Sequence, residues 1–185
     1  RTSFKATDLL IIANPIKSPD GIHQWRRVTQ ITEVRKGWED DPLTEGGFVD
    51  LFSFENYQLS PSRDLIAGDS DILKFAGSRM RGFDTWEAIW ENILLRAKIK
   101  QQMVDTARVV YAPIKSDKQK LDTAKEHLLG AEFYIKSNDM FHRFVEEVSN
   151  ELGNPPDPKE IYRRWEAWYK PAAKVKAAWL QDHVF

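Results

Sequence analysis

The residues that could support chemistry in this chain are carboxylates and histidines, because its 185 residues include no Cys. A cysteine nucleophile, a thiolate zinc site and a disulfide framework are therefore excluded. The four histidines are His23, His127, His142 and His183, and no two of them are three or four residues apart. A single helix face therefore does not present two of them to a metal ion.

Two other arrangements contain residue types that metal or acid–base chemistry needs. Glu126, His127 and His142 would form a metal site if their helices lay side by side, but histidines at the surface or at the edge of a core are the simpler interpretation. Glu87 and Glu91 would share one helix face, like the carboxylate pair of a hydrolase, yet no nucleophile or metal set lies near them. Neither arrangement is specific enough to assign a site.

Four carboxylates lie close together in the loop between residues 37 and 47, namely Glu39, Asp40, Asp41 and Glu45. Their spacing does not match the D-x-[DN]-x-[DN]-G pattern of a calcium loop, so a solvated loop is favoured over a cation site. The chain also lacks G-x-x-x-x-G-K-[ST], G-x-G-x-x-G and H-E-x-x-H, which cradle phosphates, bind dinucleotides and ligate zinc. We therefore assign no catalytic, cofactor-binding or metal-ligating residue.

Two adjacent arginines, Arg26 and Arg27, lie in a predicted strand. Successive residues of a strand point to opposite faces, so one arginine would face inward or toward a neighbouring subunit, where it needs a carboxylate or a phosphate. The alternative is an exposed pair of charges. On the first interpretation both are candidates for residues near a subunit boundary.

The last helical region carries an aromatic stripe that includes Trp165, Trp168, Tyr169 and Trp179. Aromatic residues at helical spacing usually fill the seam between packed helices. Basic residues surround the stripe, so a face that binds a protein partner and a surface for nucleic acid or lipid stay open as alternatives. If the stripe binds a protein, the three tryptophans are its interface residues.

Composition and charge narrow the class of protein. The 27 basic and 28 acidic side chains almost cancel, so no net field attracts nucleic acid, and we expect no nucleic-acid partner. A hydrophobic content of 42% favours a folded chain. No apolar run approaches the roughly 20 residues that span a bilayer. Because the chain begins at Arg1 without Met, we expect it to be a segment of a longer polypeptide.

The secondary-structure elements that carry these residues are predicted to change from strands to helices near residue 60. Three β-rich runs, the first apolar enough to be covered on both faces, precede that point. Helices are predicted after it, with a core stripe on the longest that includes Trp86 and Trp90. The sequence thus predicts an α+β fold with about three mostly antiparallel strands and then a mainly α-helical region. The predicted strands span 8–13, 23–34 and 48–55, and the predicted helices span 70–76, 84–112, 117–135, 139–152 and 158 onward. The predicted caps are Asp69-Ser70 for the first of these helices, Ser137-Asn138-Asp139 for the fourth and Asp157, followed by Pro158, for the last. Pro171 should kink or restart that last helix.

Three short patterns lie on these elements. The second strand contains R-R-V-x-x-I-x-E-V, formed by Arg26, Arg27, Val28, Ile31, Glu33 and Val34. The third contains the aromatic-x-aromatic element Phe52-Ser53-Phe54, and the long helix contains R-x-x-[IV]-x-x-x-M, formed by Arg96, Ile99 and Met103. In this order, over residues 6 to 105, the patterns resemble the carboxy-terminal end of the type II/IV secretion system ATPases, with loop spacing closest to the archaeal branch.

The resemblance implies a division into the β-rich end of an ATPase motor domain (1–60), a helical subdomain (61–112) and a helical C-terminal extension (113–185). It implies a hexameric cytoplasmic motor at the inner face of the membrane, whose partners are its sister subunits and a polytopic membrane platform protein. The parent protein would use ATP and Mg²⁺, but the family's P-loop, acidic boxes and histidine box lie upstream. No cofactor is therefore expected in this segment, which by itself should not hydrolyse ATP. The alternative is an independent α+β module that binds a protein through its Trp-rich C-terminal helices.

Overall fold

The computed structural model describes residues 5–128 and 130–184, with the side chains of residues 125–128 excepted. The chain has an α+β fold, in which a four-stranded antiparallel sheet precedes a mainly helical region. This confirms the predicted fold class. The contacts divide the chain into two compact units, Arg1–Met80 and Arg81–Phe185. Two short helices belong to the unit that holds the sheet, whereas the expected division at residue 60 groups them with a helical subdomain.

The sheet has the strand order β1-β2-β3-β4, so each strand pairs with its neighbour in the chain. The strands are β1 (Leu9–Lys17), β2 (Gln24–Val34), β3 (Phe48–Glu55) and β4 (Gln58–Pro61). The fourth strand goes beyond the predicted three. It follows a two-residue turn in which Asn56 and Tyr57 have positive φ angles of 50° and 62°, as a tight hairpin requires. The dipeptide Asn-Tyr is a much weaker hairpin signal than Asn-Gly, which is why the sequence pattern does not indicate this turn.

The first strand differs from its prediction in both length and burial. It continues through Pro15 to Lys17, because an edge strand tolerates a residue without an N–H. Its side chains are largely exposed, with accessible fractions of 41% for Leu9, 64% for Ile11 and 40% for Ile12. The prediction that both faces of this strand are covered is therefore wrong. The apolar run forms an edge and not the centre of the sheet.

Two short helices complete the sheet unit, α1 (Arg63–Ile66) and α2 (Asp71–Ser78). Ser62 and Ser70 cap them by accepting hydrogen bonds from the backbone N–H groups of Leu65 and Leu73. The predicted cap at Asp69-Ser70 is thus confirmed for Ser70. Among its described residues, the buried apolar side chains of this unit are Val34, Trp38, Val49, Leu51 and Leu65.

The second unit consists of long helices. They are α3 (Trp86–Tyr111), which runs into the 3₁₀ turn Ala112–Ile114, α4 (Lys118–Leu128), α5 (Ala131–Leu152) and α6 (Pro158–His183). Asp157 caps α6 and Pro158 occupies its first turn, as predicted. Pro171 lies inside α6, which continues to His183 instead of restarting.

The predicted boundary between a helix over 117–135 and another over 139–152 is wrong. Helix α5 runs without interruption past Ser137, and its N-cap is Gly130. The side chain of Ser137 is buried and accepts a hydrogen bond from the Trp165 indole N–H at 3.1 Å. A serine that looks like a helix cap therefore serves a contact between helices.

Helix α3 exists where it is predicted, but it buries a different face. Trp86 and Trp90 are half-buried and stack on each other with ring centroids 5.8 Å apart, so the prediction that they lie in the core is wrong. The helix carries apolar residues on more than one face, and neighbouring helices select the face that is buried. The buried residues of α3 are Ala88, Ile89, Asn92, Leu95, Ile99, Met103, Ala107 and Tyr111.

A search of the described residues found no helix whose length and apolar content would let it cross a membrane.

Candidate interaction surface

The most unusual surface of the sheet unit is the outer side of β1. Among the strands that the structure describes, this strand has a hydrogen-bonded neighbour, β2, on one side only. Edge strands are normally protected by charged residues, prolines or short length. Residues 9–12 of this strand are Leu-Leu-Ile-Ile, without a charged residue or a proline, and the whole strand has nine residues. We call the outer backbone of residues 9–12, with the exposed side chains of Leu9, Ile11 and Ile12, the β1 edge.

The two candidate arginines lie next to the β1 edge. Strand β2 pairs with β3 only over residues 30–34, so residues 24–28 form a two-stranded ribbon with β1, their one neighbour among the described strands. Arg26 pairs with Pro15 and Arg27 with Asn14. Both arginine side chains are exposed, and the Arg27 guanidinium lies 5.1 Å from the ring centroid of Trp25. Within this chain they therefore correspond to the alternative of an exposed pair.

A buried carboxylate fixes the other end of β2. Glu33 is only 1% exposed and accepts hydrogen bonds from the Ser70 hydroxyl at 2.6 Å and from the backbone N–H groups of Asp71 at 2.9 Å and Ile72 at 3.3 Å. These N–H groups are the free donors at the start of α2, where the helix dipole also favours a negative charge. Glu33 thus ties β2 to α2, a role that spacing alone did not assign. The sequence signal for this role is that Glu33 is the single acidic residue in the strand Gln24–Val34.

The tryptophans of the last helix do not form one surface. Trp165 is fully buried and stacks on Tyr169 with ring centroids 4.5 Å apart. Trp168 is half-buried beside Phe133, at a centroid distance of 6.1 Å. Trp179 is 39% exposed and stacks on His183. The helix seam therefore includes Trp165, whereas Trp179 lies at the surface.

The acidic loop is organised around one of its own carboxylates. The Glu45 side chain accepts hydrogen bonds from the backbone N–H groups of Glu39 at 2.7 Å, Asp40 at 2.9 Å and Asp41 at 2.6 Å. These donors hold the pKa of the Glu45 carboxyl below its usual value. The carboxylate oxygens are thus already occupied by the loop's own backbone, which fits the predicted solvated loop better than a cation site.

The histidine and carboxylate arrangements that the sequence analysis weighed and did not favour can be compared with the structure in part. Among the side chains that the structure describes, no group of three His, Asp or Glu residues could hold a metal ion. Glu126 and His127 lie outside those described side chains, so the structure does not test the cross-helix arrangement. His142 faces Arg96, and burial together with that positive charge lowers the pKa of its imidazole.

Comparisons of the chain with protein-family models, with curated proteins and with solved structures found no match.

Proposed function

We propose that this chain is the C-terminal region of a secretion or pilus-assembly ATPase, where it packs motor subunits together and couples them to a polytopic membrane platform protein without hydrolysing ATP itself. The observation that carries the proposal is the β1 edge. Unpaired backbone and exposed apolar side chains together mark a place where a sheet continues. In the proposal, the missing neighbour is the nucleotide-binding part of the same motor.

Two features of the sheet unit suit this role. The buried Glu33 carboxylate, with its bonds to Ser70 and to the start of α2, holds the sheet and the helix in one arrangement, as a part that transmits force requires. Arg26 and Arg27 are exposed beside the β1 edge. Neither pairs with a carboxylate among the described side chains, so both are available to a carboxylate or phosphate on a sister subunit.

The proposal places the chemistry outside this segment. ATP and Mg²⁺ would bind to upstream residues of the parent hexamer, on the cytoplasmic side of the membrane. The segment contains no G-x-x-x-x-G-K-[ST], so it has no backbone cradle for the nucleotide phosphates.

The direct test is to measure ATP binding and turnover by the isolated chain with Mg²⁺ present. We expect neither saturable ATP binding nor release of phosphate above the level of a heat-denatured sample. Turnover that survives repeated purification and follows the protein peak would contradict the proposal.

A second candidate function is an independent module that binds a protein through α6. The observation in its favour is that Val175 and Trp179 are 70% and 39% exposed and lie one helical turn apart. A Trp179→Ala variant that stays folded but loses a partner bound by the wild type would favour this module over the motor segment.

A further inference from the structure

The hairpin that joins β1 to β2 projects beyond the neighbouring strand of the sheet. Residues 13–17 pair with residues 24–28, whereas β3 pairs with β2 only from residue 30 onward. Five residues of an antiparallel strand span about 17 Å, so the turn lies about that far beyond the part of the sheet that includes β3. We call residues 13–28 the basic hairpin.

The turn of the basic hairpin has a dense set of its own hydrogen bonds. The backbone N–H of Ser18 donates to the His23 carbonyl at 2.8 Å, and the His23 N–H donates back to the Ser18 hydroxyl oxygen at 2.9 Å. The Asp20 carboxylate accepts the Ile22 N–H at 3.0 Å and the Ser18 hydroxyl. Gly21 supplies the left-handed residue of the turn, with φ of 71°. These bonds fix the conformation of the turn, in which the Ile22 side chain is 77% exposed.

An exposed isoleucine by itself is common on protein surfaces, but Ile22 is surrounded in the hairpin by unpaired positive charges. Lys17, Arg26 and Arg27 are all exposed. Among the described side chains, no carboxylate pairs with any of the three. The one acidic residue of the hairpin is Asp20, which already accepts bonds from the turn. The hairpin is therefore locally positive, although the charges of the whole chain almost cancel.

The positive side chains lie on both faces of the ribbon and close to its tip. Lys17 is paired with Gln24 and Arg27 with Asn14, and because faces alternate along a strand, Arg26 shares the face of Lys17 and Arg27 the opposite one. The two arginines lie two and three residues after Gln24, which corresponds to about 7–10 Å. An amphipathic segment at a membrane surface enters the boundary of headgroups and acyl chains by about 5–10 Å. With Ile22 at that depth, the arginines would lie at the level of the lipid phosphates.

We propose that the basic hairpin docks on an anionic membrane surface, where Ile22 enters the headgroup boundary and Lys17, Arg26 and Arg27 bind lipid phosphates. A lipid surface is favoured over a nucleic acid, because the chain lacks the net positive charge typical of nucleic-acid-binding domains. The inference goes beyond the proposed motor function and does not depend on it. It names lipid phosphates as the anions of the two arginines when the hairpin is on a membrane.

The experiment uses the intact chain, which contains no natural Cys, so that a single introduced thiol can carry a fluorescent label. Ile22→Cys labelled with nitrobenzoxadiazole is titrated with vesicles of phosphatidylglycerol and phosphatidylcholine in equal amounts. We expect a saturable rise in fluorescence and a shift to shorter wavelength, and neither change with vesicles of phosphatidylcholine alone. The matched control is labelled Leu43→Cys, because Leu43 is 79% exposed but lies in the acidic loop. Its fluorescence should not change with either kind of vesicle.

Unlabelled variants separate the apolar contribution from the charge, with binding measured by sedimentation together with the anionic vesicles. Ile22→Ser should weaken binding about tenfold, because it removes the apolar side chain that enters the lipid. Arg26→Gln should weaken binding about fivefold, through the loss of one charge near the surface. The controls Leu43→Ser and Arg63→Gln change exposed residues outside the hairpin and should leave the affinity unchanged.

A short DNA duplex, added in place of the vesicles, tests the other class of polyanion. A response at residue 22 and not at residue 43, together with weakening by the hairpin variants alone, would support the proposal. The absence of saturable binding, equal binding to neutral vesicles, equal effects of the hairpin and control variants, or binding to the duplex alone would overturn it.

Discussion

At the residue scale, Gly47 shows how tightly the loop after β2 is closed. A Cβ atom at this position would lie 2.6 Å from the Cβ of Pro42 and 2.7 Å from the Cδ1 of Trp38, closer than side-chain atoms approach. We expect Gly47→Ala to lower the free energy of unfolding by about 1–3 kcal/mol, because the buried Trp38 or the loop must move. Urea denaturation of the purified chain measures this change.

Gly37→Ala is the matched control, since a Cβ atom there meets nothing within 4 Å. This variant should be neutral or slightly stabilising, because it restricts the unfolded chain. Equal denaturation midpoints for the two variants would mean that the close packing at Gly47 does not contribute to stability.

Glu33 is a second position where the exchange of a single atom should change the stability of the chain. Glu33→Gln keeps the size of the side chain but replaces one acceptor oxygen with an N–H₂ group that faces the donors of Ser70, Asp71 and Ile72. We expect a loss of about 1–3 kcal/mol in the free energy of unfolding. The control Glu55→Gln changes an exposed carboxylate on β3 and should have no comparable effect, so two equal losses would argue against a buried cap.

At the residue scale, the sequence indicates which positions are charged better than it indicates what the charged side chains contact. The acidic loop was expected to be solvated, and the Glu45 contacts agree, yet the pattern does not reveal that one carboxylate organises the loop's backbone. Arg96 entered only as part of a helix pattern. Its half-buried position becomes visible only when α3 and α5 are placed together, because the Arg96 guanidinium lies over the ring of Phe141 on α5.

At the element scale, the seam between α5 and α6 depends on Trp165. Trp165→Phe removes the indole N–H from the Ser137 oxygen and leaves a gap in a fully buried position. The expected loss is about 1–3 kcal/mol in the free energy of unfolding, measured by thermal or chemical denaturation. Trp179→Phe at the exposed end of the same helix is the control, and a loss as large as that of Trp165→Phe would contradict the assignment of the seam.

The start of α6 gives a pH-dependent prediction. Hydrogen bonds from Arg163 and Arg164 lower the pKa of the Glu160 carboxyl from 4.5 to about 2. A carboxyl with a lowered pKa in the folded state stabilises the protein above the unfolded value, and this contribution is lost as the pH falls from 4.5 toward 2. The difference in Tm between the wild type and Glu160→Gln should therefore shrink over that range.

A control for this titration is Glu146→Gln, which changes an exposed carboxylate on α5. Its difference from the wild type should vary less with pH than that of Glu160→Gln. A Glu160→Gln difference that stays constant between pH 6 and pH 2.5 would show that the arginine contacts do not persist in solution.

Helices were easier to predict than their faces and boundaries. The capping residues Ser70 and Asp157 act locally, so the sequence could indicate where α2 and α6 begin. The buried face of α3 and the continuity of α5 depend on which helices pack against them. The local periodicity of the sequence does not indicate which helices pack together. It therefore places Trp86 in the core and Ser137 at the start of a helix, and both predictions are wrong.

At the scale of the whole molecule, the exposed β1 edge predicts self-association of the isolated chain. Ile11→Lys places a charge in the middle of this edge, where it should hinder pairing with another strand. Sedimentation velocity should show concentration-dependent association of the wild type and a larger monomer fraction for Ile11→Lys. The control Val109→Lys alters a residue that is 75% exposed on the helix α3 and belongs to no strand, and it should behave like the wild type. Monomers in all three samples would contradict the assignment of the β1 edge.

The fold class could be predicted from the sequence, because the pattern changes clearly near residue 60 from runs of β-forming residues to helical periodicity. The exposure of β1 could not be predicted in the same way. A run such as Leu-Leu-Ile-Ile occurs both at the centre of a sheet and at an edge that another part of a protein covers. The same ambiguity is the basis of the functional proposal. If the chain is one part of a larger motor, as proposed, another part of that motor would cover the apolar edge that the described residues leave open.

The central claim is tested most directly by sequencing the reading frame that encodes this chain upstream of the codon for Arg1. The proposal predicts that the frame continues upstream and encodes G-x-x-x-x-G-K-[ST], the phosphate cradle that the segment lacks. A complete upstream frame without this motif would contradict the assignment to a secretion ATPase.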